Sequence, residues 1–170
     1  MDIKRLVQVF SIPAAERNNP GDSWSAKAPV VGTEIGDRPC VLFVGENLRS
    51  GYLRQLVEQA TTVFHFAPSA EEGLRLQNQL KEKYARVRVV TVLKTPPVEG
   101  CFPGIALLDI TGGLAEAFDA RPGSYFLFGP EGKLVARGRR AEATQIASTL
   151  LHNCATCGSL GVFQQPRVTT

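Results

Sequence analysis

The residues best equipped for chemistry are four cysteines and two histidines. Cys154-Ala155-Thr156-Cys157 has the spacing of a reversible disulfide or of half a zinc site. It follows a segment that reads as a final helix ending near Asn153. A helix C-terminus carries partial negative charge and raises a thiol pKa, so this is the wrong end for a nucleophile. Three readings stay open for the pair: an inert or incidentally oxidised couple, a resolving or regulatory disulfide, and a metal site completed by His152 with Cys40 or Cys101. No second Cys-x-x-Cys and no histidine pair accompanies the last of these. Cys40 and Cys101 alone read as buried small hydrophobes. His65 sits between Phe64 and Phe66 in an apolar run and reads as a core or rim histidine, because no nucleophile motif points to it. His152, near a helix end, suits stabilisation by the helix dipole. Asp109, at a strand end before Thr111, reads as a helix cap.

These residues need elements to position them. Val41 to Val44 is a continuous apolar run and reads as a buried strand. Leu53, Leu56, Val57 and Ala60 follow at helical spacing. Thr61 to Phe66, β-branched and aromatic, reads as a second strand. Ser69 with Glu72 is a capping-box pattern, opening a helix with Leu76, Leu80 and Tyr84 on one stripe. Val87 to Leu93 reads as a third strand, and Ile105 to Leu108 as another. A short amphipathic helix with Leu114, Ala117 and Phe118 comes next, then two strands joined by Gly129-Pro130-Glu131-Gly132. In that turn Gly132 supplies a left-handed residue. Ile146, Ala147, Leu150 and Leu151 mark the last helix. The expected fold class is α/β: a thioredoxin-like sandwich with a mixed central sheet, flanking helices and a C-terminal ββα unit. The expected organisation is an extended arm or linker over 1–39, the thioredoxin-like domain over 40–153 and an irregular tail over 154–170. Trp24, alone in the polar arm, is expected to dock on its own domain or on a partner.

Thiol-active members of that fold carry Cys-x-x-Cys just after a strand, at a helix N-terminus, where the dipole lowers the thiol pKa. Two junctions read as eligible: Gly45-Glu46-Asn47-Leu48-Arg49-Ser50 and Ala67-Pro68-Ser69-Ala70-Glu71. Neither contains a cysteine. There is no dinucleotide fingerprint or Walker loop either; Gly112-Gly113 stands without one. A formal charge of +3 with scattered cations argues against nucleic acid, and Arg137, Arg139 and Arg140 read as a solvated strand end. The lack of an apolar span or a cleavable leader reads as cytoplasmic.

One stretch has narrower wording. Asp-x-x-Gly-x-Leu-Ala-x-x-Phe from Asp109, then Arg121-Pro122-Gly123-Ser124 through Gly129-Pro130-Glu131-Gly132-Lys133-Leu134-Val135-Ala136-Arg137, resembles the C-terminal thioredoxin-like domain of flavin-dependent aromatic-ring monooxygenases, the phenol and hydroxyphenylpropionate hydroxylase type. The resemblance runs from Ile105 to Leu151. It implies a non-catalytic module of an aromatic hydroxylase, serving subunit or interdomain contacts, with a homodimer or a flavin-domain partner. It further implies that FAD and NAD(P)H belong to a parent enzyme and not to this chain, which would hold no catalytic, cofactor or metal site. The alternatives are a stand-alone thioredoxin-like scaffold or binding protein, and a thiol-redox protein using Cys154 and Cys157.

Overall fold

A computed structural model describes residues 23–97 and 100–156, with side chains given as far as His152. One seven-stranded mixed sheet organises it. In chain order the elements are β1 (Pro39–Gly45), β2 (Asn47–Tyr52), α1 (Leu53–Val57), β3 (Thr62–Phe66), α2 (Ala70–Lys83), β4 (Arg88–Leu93), β5 (Phe102–Leu108), α3 (Gly113–Phe118), β6 (Tyr125–Phe128), β7 (Leu134–Gly138) and α4 (Ala143–Thr156). The strand order is β2-β1-β5-β4-β3-β6-β7. β3, β4 and β5 run parallel, while β1, β2, β6 and β7 join antiparallel. The thioredoxin-like sandwich expected from the order of elements is what the chain forms.

The period-2 geometry of a strand sorts the core into two faces. Phe64, Phe66, Val90, Val92, Phe126 and Phe128 face α1 and α3, where Leu53, Leu56, Leu114 and Phe118 meet them. Val63, Val89, Tyr125 and Leu127 face the opposite way, under Leu76 and Leu80 of α2 and Ile146 and Leu150 of α4. Both faces of the central strands are therefore buried, which explains why β3 and β4 are mostly apolar on both rows, with only Thr62, His65, Arg88 and Thr91 interrupting.

The first half differs from the expected strand–helix–strand order. β1 does not pair with β3. It lies antiparallel to β5 and turns back at Gly45, whose φ is +65°, into β2. Gly45 to Ser50, read above as a strand-to-helix junction, is thus a hairpin, and only β3–α2 remains as a junction of that kind. Cys101 differs too: it is exposed at the start of β5, while Cys40 is half-buried at the start of β1. The two lie toward opposite ends of this antiparallel pair, since Val41 pairs with Leu108 and Gly45 with Phe102.

Residues 23–36 pack on the domain. The Gly32 N–H donates to the Leu134 carbonyl and the Leu134 N–H to that of Thr33, so this segment covers the β7 edge. Trp24 docks on its own domain, edge-on to Phe126 at 5.4 Å. Arg139 and Arg137 stand over its ring, 3.7 and 4.5 Å from the centroid, so these cations are not simply solvated. Asp119 completes the clasp. It accepts the Ser25 N–H at 2.8 Å and pairs with Arg139 at 2.9 Å. The Ser25 amide first, and the Arg139 guanidinium with it, hold its carboxyl below the ordinary carboxylate pKa.

Candidate functional site

In an open α/β sheet the carboxyl ends of the parallel strands are where helices begin and crevices form. Here β3 runs into Ala67-Pro68-Ser69 and then α2. Ser69 caps the helix, its hydroxyl accepting the Glu72 N–H at 3.2 Å. β4 ends on Leu93, and β5, starting at Phe102, runs parallel to it. Between these two exits, and against the start of α3 and the turn before β6, lies a pocket of about 370 Å³. Phe66, Val92, Ala70, Ala115, Ala120 and Pro97 form much of its wall. Ser69, Thr95, Lys94, Arg121 and Asp109 supply the polar groups. A cavity of this size and mostly apolar lining suits a small organic molecule.

Asp109 builds one wall. Its Oδ1 accepts the Leu114 N–H and its Oδ2 the Ala115 N–H, each at 2.9 Å. The helix cap read from the sequence is therefore real, although Asp109 reaches forward to it from before Gly112, the residue in the cap position. Asp109 is buried, so its loss leaves two amide donors of α3 without partners. Asp109→Ala is expected to cost about 1–2 kcal/mol, read as a lower denaturation midpoint, with Asp109→Asn recovering part of the loss.

The predicted site residues lie elsewhere. Cys154 belongs by its backbone to α4, but its side chain and Cys157 lie outside the described residues. Cys40 lines two other hollows, one of about 470 Å³ with Arg38, Ile110 and Thr111 and the other of about 350 Å³ with Ser50, Tyr52 and Gln55. Burial pushes the Cys40 thiol pKa up, which keeps it protonated and poorly nucleophilic. His65 is buried on the α2 face of the sheet, where burial lowers its pKa to about 4. It is a neutral core imidazole, as its place in β3 suggested. His152 is exposed on α4. Among the described residues no three His, Cys, Asp or Glu side chains gather as a metal site.

In the sequence the pocket residues look like structural punctuation. Ser69 reads as a cap and Arg121-Pro122-Gly123 as a turn. Their common signal is position, at the carboxyl end of β3 or just before its antiparallel neighbour β6.

Several solved structures share this architecture. The crystal structure of Enterococcus faecalis AhpC superposes with a TM-score of 0.60 at 14% identity, covering 84% of this chain and 98% of that one. The fold is peroxiredoxin-like. A mutant of Xylella fastidiosa PrxQ matches with a TM-score of 0.59 at 18% identity, over 74% of this chain and 97% of that one. The thiol peroxidase from Chromobacterium violaceum matches with a TM-score of 0.59 at 9% identity, over 74% of this chain and 88% of that one. The sequence matches no protein-family model and no curated protein.

These neighbours overturn the hydroxylase resemblance. With it fall the reading as a module of an FAD-dependent monooxygenase and the expected flavin-domain partner. The misleading wording has a physical origin. Gly132, at φ +83°, and the flanking Gly129-Pro130-Glu131 meet the demands of the β6–β7 turn, and Asp109 meets those of the α3 cap. Any chain closing the same hairpin and capping the same short helix arrives at similar residues.

Proposed function

We propose that this chain is a binding protein on a peroxiredoxin-like scaffold, working through the pocket at the carboxyl ends of β3 and β4. The observation that carries the reading is the β3–α2 junction. Among the described parallel strands it is the strand-to-helix junction that opens the longer helix, the setting that suits an activated thiol, and it holds Ser69 beside a 370 Å³ pocket. Of the described cysteines, neither Cys40 nor Cys101 lines that pocket. The reading needs no flavin and no nicotinamide.

The company of thiol peroxidases favours a second reading, a thiol-redox protein using Cys154 and Cys157. Peroxide consumption with a dithiol reductant separates the two. Under the binding reading, wild type and the Cys154→Ser, Cys157→Ser double variant consume peroxide at the same uncatalysed rate. Saturable turnover that either single serine variant abolishes would instead establish the thiol reading.

A homodimer belongs to the same proposal. β2 is an edge of the sheet, and Leu48 and Tyr52 stand exposed on one of its faces. A second copy pairing antiparallel about Ser50 would set each Leu48 opposite a Tyr52, an apolar cross-strand pair that also protects the edge. Sedimentation is expected to show a dimer that Ser50→Pro dissociates, because proline cannot donate to the ladder. A wild-type monomer at tens of micromolar, a concentration at which a pair of micromolar Kd would be mostly dimeric, would remove the dimer from the account.

A further inference from the structure

The polar groups of the β3–β4 pocket restrict what it can hold. Three of its lining residues are charged, Lys94, Arg121 and Asp109. Both Asp109 oxygens are occupied by α3 amides, and the residue is buried in the wall. Lys94 and Arg121 are exposed, and among the described residues neither is paired with a carboxylate. The Ser69 hydroxyl accepts the Glu72 amide and keeps its own proton to donate. Thr95 adds a second hydroxyl, and the rest of the lining is apolar or backbone, with Phe66, Val92 and Pro97 in the wall and Ala70, Ala115 and Ala120 leaving room by their size. The cavity therefore has an apolar bed, surplus positive charge and hydroxyl donors from Ser69 and Thr95.

We infer that the pocket selects small amphipathic monocarboxylates, an aromatic ring or branched acyl body bearing one carboxylate. This rests on the binding reading above and adds the ligand class to it. The apolar body displaces water from the bed, where burial supplies affinity in proportion to area. The carboxylate lies toward Arg121 and Lys94. A guanidinium offers a planar fork of donors to a carboxylate, so Arg121 is the specificity-determining residue and Lys94 a supporting point charge. A neutral analogue of the same body keeps the first contribution and loses the second. A dianion would carry its second charge onto the apolar bed and be rejected.

Calorimetric titration of the full chain with 2-naphthoate and with 2-naphthalenemethanol tests this. Wild type is expected to bind the carboxylate about fivefold more tightly than the alcohol. Arg121→Gln should remove most of that preference while leaving the alcohol's affinity unchanged. Added salt should weaken only the carboxylate. Ala70→Leu, which fills the cavity from the first turn of α2, should weaken both probes. Equal binding of the two probes, unaltered by Arg121→Gln, would overturn the inferred ligand class and leave the binding site standing. Failure of both probes to bind, or binding that Ala70→Leu does not touch, would overturn the pocket reading and this inference with it.

Discussion

Phe126→Ala is expected to cost about 3–5 kcal/mol of stability, the range for deleting a buried aromatic ring. Phe126 is fully buried in β6 and sits where three rings converge. Phe118 of α3 meets it at 5.0 Å, Trp24 at 5.4 Å and Phe66 of β3 at 5.7 Å, with interplanar angles of 75°, 70° and 79°. These edge-to-face contacts add to the area term. Truncation leaves a cavity that rings on three different segments cannot close together. Trp24 is the chain's single tryptophan, so its fluorescence reports the same event locally. Its emission should shift to the red in Phe126→Ala before global unfolding, because the ring is held by Phe126 below and by Arg137 and Arg139 above. Phe126→Leu should recover more than half of the loss. A Phe126→Ala stability within about 1 kcal/mol of wild type would mean that the cluster is not the keystone described.

The second large effect is acid sensitivity through His65. Burial lowers its pKa from the ordinary 6.5 to about 4. The unfolded chain takes up a proton near 6.5, whereas the folded chain resists until about 4. Between those values the unfolded state binds more protons, so stability falls as pH falls. The loss accumulates across the window to roughly 3 kcal/mol and stops growing below it. The site explains the resistance. His65 pairs in register with Thr91 and Tyr125, and among the described residues its Nδ1 has no hydrogen-bond partner. His65→Leu should therefore flatten the dependence of the denaturation midpoint on pH between about 4 and 7. A variant that loses stability with acid as steeply as wild type would place the titrating group elsewhere.

How far the sequence carries these conclusions follows from particular residues. Where one physical demand dominates, the sequence is transparent. The apolar runs of β3 and β4 are buried on both faces, Ser69 and Glu72 open α2 as a cap should, and Gly132 takes the left-handed turn. β2 is hidden in the sequence because an edge strand meets no such demand. Leu48, Ser50 and Tyr52 do alternate with Asn47, Arg49 and Gly51, but both rows are largely exposed and four of the six residues are polar or glycine, so no apolar row marks the strand. With β2 unseen, β1 falls beside the wrong neighbour. Cys101 reads as buried from residue type alone, and the bend into β5 leaves it exposed.

The candidate site is harder to read, because its parts are distant in sequence. Ser69, Lys94, Asp109 and Arg121 converge only once β3, β4 and β5 align in parallel and their carboxyl ends share one edge. Each residue has a sufficient local explanation as a cap or a turn. The pocket is a property of the topology, and no spacing announces it. The hydroxylase resemblance draws on the same local explanations, since Asp109 and the Gly129–Gly132 turn are dictated by a short helix and a hairpin.

The account stands most directly on where a ligand lands. Amide proton–nitrogen correlation spectra of the full chain, recorded while 2-naphthoate is titrated, locate it residue by residue. The account predicts shifts concentrated at Ala67, Ser69, Ala70, Thr95 and Arg121, saturating together. Shifts confined to the β1–β2 hairpin or to the end of α4, with Ala67 to Ala70 unmoved, would contradict it.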